Sequence, residues 1–220
     1  MYLSKTPSII YKFYNSKDMW RVDTEDKDIF LTFDDGPIPE VTPWVLNLMD
    51  SYNAKATFFC VGDNIRKNYD IYCDLLLRGH TVGNHTFNHL NGWKSNTREY
   101  VLNVKKAGNY INSPLFRPPY GKISVAEHKF LKKHYKLVYW TVISGDFDKT
   151  ISPEKCLENA LSATEKGSIV VFHDSLKAEK NLVYALPAFL EHFSKQGYRF
   201  KAIPMHQKEI KHPLQLKVTA

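Results

Sequence analysis

The chain has no long apolar run. A secretory leader needs about 7–15 consecutive apolar residues and a membrane span about 20, whereas Met1 to Asn15 offers only the pair Ile9-Ile10. A membrane span is excluded. With no leader in this sequence the expected location is the cytoplasm, with the cell envelope as the alternative if an upstream signal has been trimmed.

Cysteine is also scarce. Cys60, Cys73 and Cys156 make an odd three without C-x-x-C spacing, which excludes a disulfide framework and reads as free thiols buried in apolar segments. Internal repeats and low-complexity stretches are absent. Basic residues outnumber acidic ones, 30 against 23 for a formal charge of +7. They are scattered, however, over Lys105-Lys106, Lys132-Lys133, Lys177 with Lys180, and Lys208 with Lys211, and no reading motif gathers them, so a nucleic-acid partner is excluded. What the 220 residues do hold is core material, 43% hydrophobic and 14% aromatic. That suffices for one folded domain and is too much for intrinsic disorder.

Strand candidates are short continuous apolar runs: Ile29-Phe33, Ala56-Val61, His80-Gly83, Leu115-Phe116, Leu137-Ile143, Ser168-Phe172 and Tyr198-Ile203. Runs without polar alternation suit strands buried on both faces, as in parallel sheets. Helical stripes fall between them: Val41, Trp44, Val45, Leu48, Met49 and Tyr52; Ile65, Tyr69, Tyr72, Cys73 and Leu76; Val101, Val104, Gly108 and Ile111; and Leu182, Ala185, Leu186, Phe189, Leu190 and Phe193. Ser152-Pro153 reads as a helix start. This strand–helix alternation predicts a single-domain α/β fold with a parallel sheet, doubly wound or closed into a barrel. Residues 1–27 are expected to be a peripheral segment, residues 28–203 the domain, and residues 204–220 a polar, basic tail.

Polar chemistry collects at strand ends. Asp34-Asp35 follow the first strand and His85 and His89 the third. Arg117 follows Leu115-Phe116, Asp146 follows Leu137-Ile143, and His173-Asp174 follow Ser168-Phe172. In a parallel α/β barrel all these carboxyl ends share one face, the face on which active sites are built. On a helix, the His-x3-His pair would put both imidazoles on one side, and a carboxylate from Asp34-Asp35 would complete a set of three ligands for a divalent cation. The second acid would be free to reach a water on that cation. Arg117, before Pro118-Pro119, is a permanent cation suited to gripping a carboxylate bidentately. His173 at the rim is placed to donate a proton to a leaving group.

Taken together, Thr32-Phe33-Asp34-Asp35-Gly36, His85-Thr86-Phe87-Asn88-His89, Arg117-Pro118-Pro119-Tyr120-Gly121 and Val171-Phe172-His173 resemble, in order and spacing, the motifs of the polysaccharide deacetylases, the NodB-homology group of carbohydrate esterase family 4. The resemblance covers residues 28–203. It implies a distorted (β/α)7 TIM-like barrel and metal-dependent hydrolysis of acetyl groups on sugars, most often the N-acetyl of N-acetylglucosamine units in chitooligosaccharide or peptidoglycan. Position by position, it implies Asp35, His85 and His89 as ligands of the metal, usually zinc, with cobalt or nickel as alternatives. Asp34 would be the general base, oriented by Arg117. The Tyr120 backbone N–H would face the oxyanion, His173 would protonate the departing amine, and Trp140, Val171 and Asp146 would wall the acetyl pocket. One motif departs: Ile143 stands where the family often has an acid expected to support the catalytic histidine, and Phe147 where it has Trp. Asp146 and Asp148 are the candidate substitutes, and a shifted acid limb in the pH–rate profile is expected.

Three other readings compete. An O-acetyl esterase on a polymer such as acetylated xylan needs the same residues. A non-catalytic glycan-binding barrel would leave base, ligands and acid idle together. A non-haem iron oxygenase also uses two His and one carboxylate, but it gives Asp34, Arg117 and His173 no task.

Overall fold

The computed structural model describes residues 4–6 and 18–205. The pair Ile9-Ile10 and the expected tail from residue 206 onward lie outside the described residues. The apolar runs become parallel strands: β1 Asp28–Asp34, β2 Thr57–Cys60, β3 Thr81–Asn84, β4 Leu115–Phe116, β5 Lys136–Leu137, β6 Val142–Ile143, β7 Ile169–His173 and β8 Arg199–Phe200. Their order is β5-β4-β3-β2-β1-β7-β6, with β8 pairing the start of β1. All seven residues of β1 are buried, as expected of a strand flanked by β2 and β7 and covered on both faces. Phe33 stacks on Phe58, with ring centroids 4.9 Å apart, and meets Phe172 from β7. Each fully buried Phe is worth about 1.5–3 kcal/mol.

The run expected as one strand, Leu137-Ile143, is two. Its first half hydrogen-bonds toward β4, Lys136 N to Pro114 O and Val138 N to Phe116 O. Its second half bonds toward β7, Thr141 N to Ile169 O and Ser144 N to Val171 O. The chain changes partner midway because the sheet curls, and the crossing segment joins its two ends into the distorted (β/α)7 barrel. The outer edges of β5 and β6 are covered by the N-terminal segment. Met19 bonds to Leu137 and Tyr139, Thr6 N donates to Thr141 O, and Ile143 N donates to Ser4 O, so these edges do not present unpaired groups.

Helices fill the connections: α1 Thr42–Ser51, α2 Gly62–Lys67, α3 Tyr69–Leu77, α4 Thr97–Gly108, α5 Val125–Leu131, α6 Pro153–Ala163 and α7 Glu179–Lys195. Ser152 caps α6 by accepting the Lys155 N–H. The α7 stripe from Leu182 to Phe193 is buried throughout. The Ile65–Leu76 stripe is broken at Asn68, whose side-chain amide donates to the Pro37 and Asn64 carbonyls. The rotation that follows leaves Tyr69 and Leu76 exposed, while Tyr72 and Leu75 are buried. In α4 Val104 is buried as expected, and Ile111 just beyond the helix is too, while Tyr100 and Ala107 take the inward places expected of their neighbours Val101 and Gly108. Among the described residues no helix is long and apolar enough to cross a membrane.

Candidate active site

The strand ends converge as the parallel arrangement requires. Register sets Asp34 of β1 beside Phe59 on one side and His173 on the other. The next residue, Asp35, has φ +87°, a left-handed conformation costly for a residue with a Cβ. Surrounding bonds hold it there. The Asn64 side-chain amide donates to Asp35 O at 2.7 Å, and the Gly36 N–H donates to Asp174 Oδ1 at 3.0 Å. Asp174 is fully buried, and its other oxygen accepts the Thr42 hydroxyl at 2.6 Å. This latch under the acidic turn was not legible from motif position alone. The sharp reversal separates the adjacent acids, so that Asp34 meets Arg117 and Asp35 meets the histidines.

His85 and His89 are not on a helix. Thr86 and His89 both have positive φ, +65° and +58°, and the loop is pinned by side chains: Thr86 N donates to Asn84 Oδ1, Phe87 N to Asn103 Oδ1 and Leu90 N to Thr86 Oγ1. Those local bonds replace the helical ladder and still bring the imidazole centroids to 5.1 Å. One ligand atom from each of Asp35, His85 and His89 lies within 4.8 Å of the others. Asp35 Oδ1 is 3.1 Å from His89 Nε2 and 3.8 Å from His85 Nε2, yet this buried oxygen makes no hydrogen bond among the described residues.

The donor set fits a divalent cation. His85 Nδ1 lies 2.7 Å from Arg117 O; a carbonyl only accepts, so Nδ1 carries the proton and Nε2 keeps its lone pair toward Asp35. Burial pushes the His85 imidazole down to about 4, leaving it neutral, the form that ligates metal. His89 Nδ1 lies 3.1 Å from the Tyr120 hydroxyl. Tyr120, expected to act through its backbone, thus also braces a histidine. With φ +61°, its N–H has no hydrogen-bond acceptor among the described residues.

Arg117 is wholly buried. The bidentate grip expected of it is a single bond, Nη1 to Asp34 Oδ1 at 2.7 Å. Its remaining donors reach Thr32 Oγ1 on β1 and the carbonyls of Val138 and Tyr139 on the segment crossing between β5 and β6. The guanidinium also lies 4.1 Å from the Phe59 ring centroid, so one side chain ties β1, β2 and the crossing segment together.

Asp146, expected on the pocket wall, lies beneath it. Its carboxylate accepts the His173 backbone N–H at 2.6 Å and faces His173 Nδ1 at 2.7 Å. The acid that supports His173 is therefore Asp146, not the one missing at Ile143. Asp148 instead closes a turn with Thr150. Burial alone would lower the His173 pKa, but the charge and hydrogen bond of Asp146, with Asp35 and Asp34 nearby, push it up to about 9. Trp140 and Val171 line the cavity as expected, and Ile143 and Phe147 line it too. The volume is about 540 Å³, and Phe147 meets the His173 ring edge-on at 5.0 Å.

A parallel barrel carrying an Asp-His-His cluster between an Arg-bound aspartate and an Asp-bound histidine defines a hydrolase. This chain belongs to the polysaccharide deacetylase family, whose family model matches residues 21–137. It is 36% identical to a peptidoglycan-N-acetylglucosamine deacetylase of Bacillus cereus over 191 residues, covering 84% of this chain and 90% of the relative. It is 31% identical to a chitooligosaccharide deacetylase of Azorhizobium caulinodans over 162 residues, covering 70% of this chain and 77% of that one. A solved peptidoglycan N-acetylglucosamine deacetylase, in complex with 4-naphthalen-1-yl-N-oxidanyl-benzamide, superposes with TM-score 0.81 at 30% identity, over 90% of this chain and 95% of that one. The protein is accordingly an enzyme, a hydrolase of the polysaccharide deacetylase family.

Proposed function

We propose that the enzyme removes the N-acetyl group from N-acetylglucosamine units of an oligo- or polysaccharide such as peptidoglycan or chitooligosaccharide, with a divalent metal, most often zinc in this family, held by Asp35, His85 and His89. The observation that carries this reading is the convergence, in one cavity, of the three-ligand cluster with Asp34 and His173. When bound, the cation supplies Lewis acidity, polarising the acetamide carbonyl and acidifying water.

The chain's own residues do the rest. Asp34, fixed by Arg117, accepts the proton of the attacking water. The unpaired Tyr120 N–H faces the developing oxyanion. His173, protonated at neutral pH because Asp146 stabilises its charged form, hands a proton to the departing amine. Ile143, Val171 and Trp140 give the acetyl methyl an apolar wall.

The test is acetate release by zinc-loaded full-length protein from chitooligosaccharides and from acetylated xylan, beside Asp34→Asn. Release from chitooligosaccharides that needs both metal and Asp34 is the expected result. Release from xylan alone would replace this reading with the O-acetyl esterase.

A further inference from the structure

The loop that carries Asp146 is gripped by the side chains of two buried asparagines, one on each of the helices α6 and α7. Asn159 of α6 donates from Nδ2 to Ser144 O at 3.1 Å. Asn181 of α7 donates from Nδ2 to Asp146 O at 3.1 Å and to Asp148 O at 3.2 Å. The two grips differ in what they hold. Ser144 is still tied to the sheet, its N–H bonded to Val171 O. Asp146 and Asp148 lie beyond the end of β6, after a reversal at Gly145 with φ +79°. The Asp148 carbonyl has one other donor, the Ile151 N–H at 3.4 Å, and the Asp146 carbonyl accepts no other bond among the described residues.

Helix α7 has little local reason to carry an asparagine here. Asn181 is 3% exposed, beside Leu182 and about one turn before Ala185 on the buried face, where packing and helix propensity both favour an apolar residue. Its Oδ1 is buried as well and takes no hydrogen bond among the described residues, so burying this amide costs stability that a leucine would spare. A residue that breaks local rules in this way is expected where function is served. What its donors secure is the backbone of Asp146, whose carboxylate is committed elsewhere. Oδ2 accepts the His173 N–H, and Oδ1 accepts the Phe147 N–H at 3.0 Å and faces ring Nδ1 of His173.

We propose that Asn181 is a positioning residue for the proton donor: it fixes the Asp146 backbone, and through Asp146 the orientation of the His173 ring, without touching the reacting atoms. The inference rests on the deacetylase reading above and extends its machinery by one residue. The titratable and charged groups around His173 are Asp146 beneath it, Asp34 and Asp35 at the end of β1, His85 and His89 in the same cavity, and Lys177 over the Phe147 ring. Of these, Asp146 alone is hydrogen-bonded to Asn181.

The test compares Asn181→Leu and Asn181→Ala with wild type and with Asn159→Leu, all as zinc-loaded full-length protein acting on chitooligosaccharides. Both Asn181 variants are expected to keep their zinc and a KM within about twofold, and to lose kcat about 10–100-fold, as for a group displaced by the order of 1 Å. The alkaline limb should move down from about 9 toward the ordinary histidine value of about 6.5. The downfield proton resonance of His173 Nδ1–H, assigned by its absence in His173→Gln, should move upfield or broaden away. Asn159→Leu removes an amide from the same loop and is expected to lower Tm while leaving limb and resonance at the wild-type positions. Asn181 variants that lower Tm yet keep the wild-type limb and resonance would overturn the proposal, as would an equal shift in Asn159→Leu. If wild type releases no acetate, it is the deacetylase reading that fails, and the resonance comparison still decides the role of Asn181.

Discussion

Asp146 holds His173 at two points, one carboxylate oxygen on the backbone N–H and the other on ring Nδ1. The double grip fixes the ring's orientation and turns its Nε2 toward the cavity. It also decides the ring's charge, since the carboxylate is wholly buried against it and stabilises the imidazolium.

Activity that needs protonated His173 should fall on the alkaline side near pH 9. In Asp146→Asn the limb should move toward the ordinary histidine value of about 6.5, costing about 30-fold in kcat at pH 8. A pH–rate profile of both proteins checks this. The linked stability has a definite sign: a raised histidine pKa contributes fully below about pH 6.5 and is lost as pH rises through about 9. The Tm gap between wild type and Asp146→Asn should therefore be widest in acid and narrow above pH 9.

Asp34→Asn should lower acetate release by about 10²–10⁴-fold, the range for loss of a general base, while zinc content measured on the purified protein stays at the wild-type level. The three candidate ligands exclude Asp34. Loss of zinc along with activity would reassign Asp34 as a ligand.

Zinc should raise Tm, because a ligand at 100 times its Kd adds about 2.7 kcal/mol to the folded state. His85→Ala and Asp35→Ala should abolish that rise, and a chelator should reverse it in the wild type. Calorimetric melts with and without zinc read all three.

Gly36→Ala tests the latch under the acidic turn. A Cβ at Gly36 would fall within the Asp174 carboxylate, so the turn must shift or Asp174 must leave Thr42. The expected cost is about 1–3 kcal/mol, as for other overpacked sites, in urea unfolding, together with weaker zinc binding through the displaced Asp35. Unchanged zinc affinity would show that Asp35 does not depend on the latch.

Local pattern carried most of the architecture. Continuous apolar runs such as Ile29-Phe33 and Ser168-Phe172 mark strands buried on both faces, and the first one or two residues after such a run stand at the barrel's carboxyl rim. Asp34, His85, Arg117 and His173 could thus be named from position and residue type. Periodicity could not show that Leu137-Ile143 changes partners midway, because that depends on where β4 and β7 lie once the sheet curls. Nor could spacing give the shape of the His85–His89 loop, which is set by Asn84 and Asn103 side chains taking the place of a helical ladder. Asp146 meets His173 across 27 residues of sequence, and Asp174 meets Gly36 across 138. The sequence by itself determined the strands, the rim residues and the family they mark. Only the tertiary structure decided which carboxylate serves which partner, because a buried charge is settled by whatever donors barrel closure brings within 3 Å of it, and no local repeat encodes that meeting.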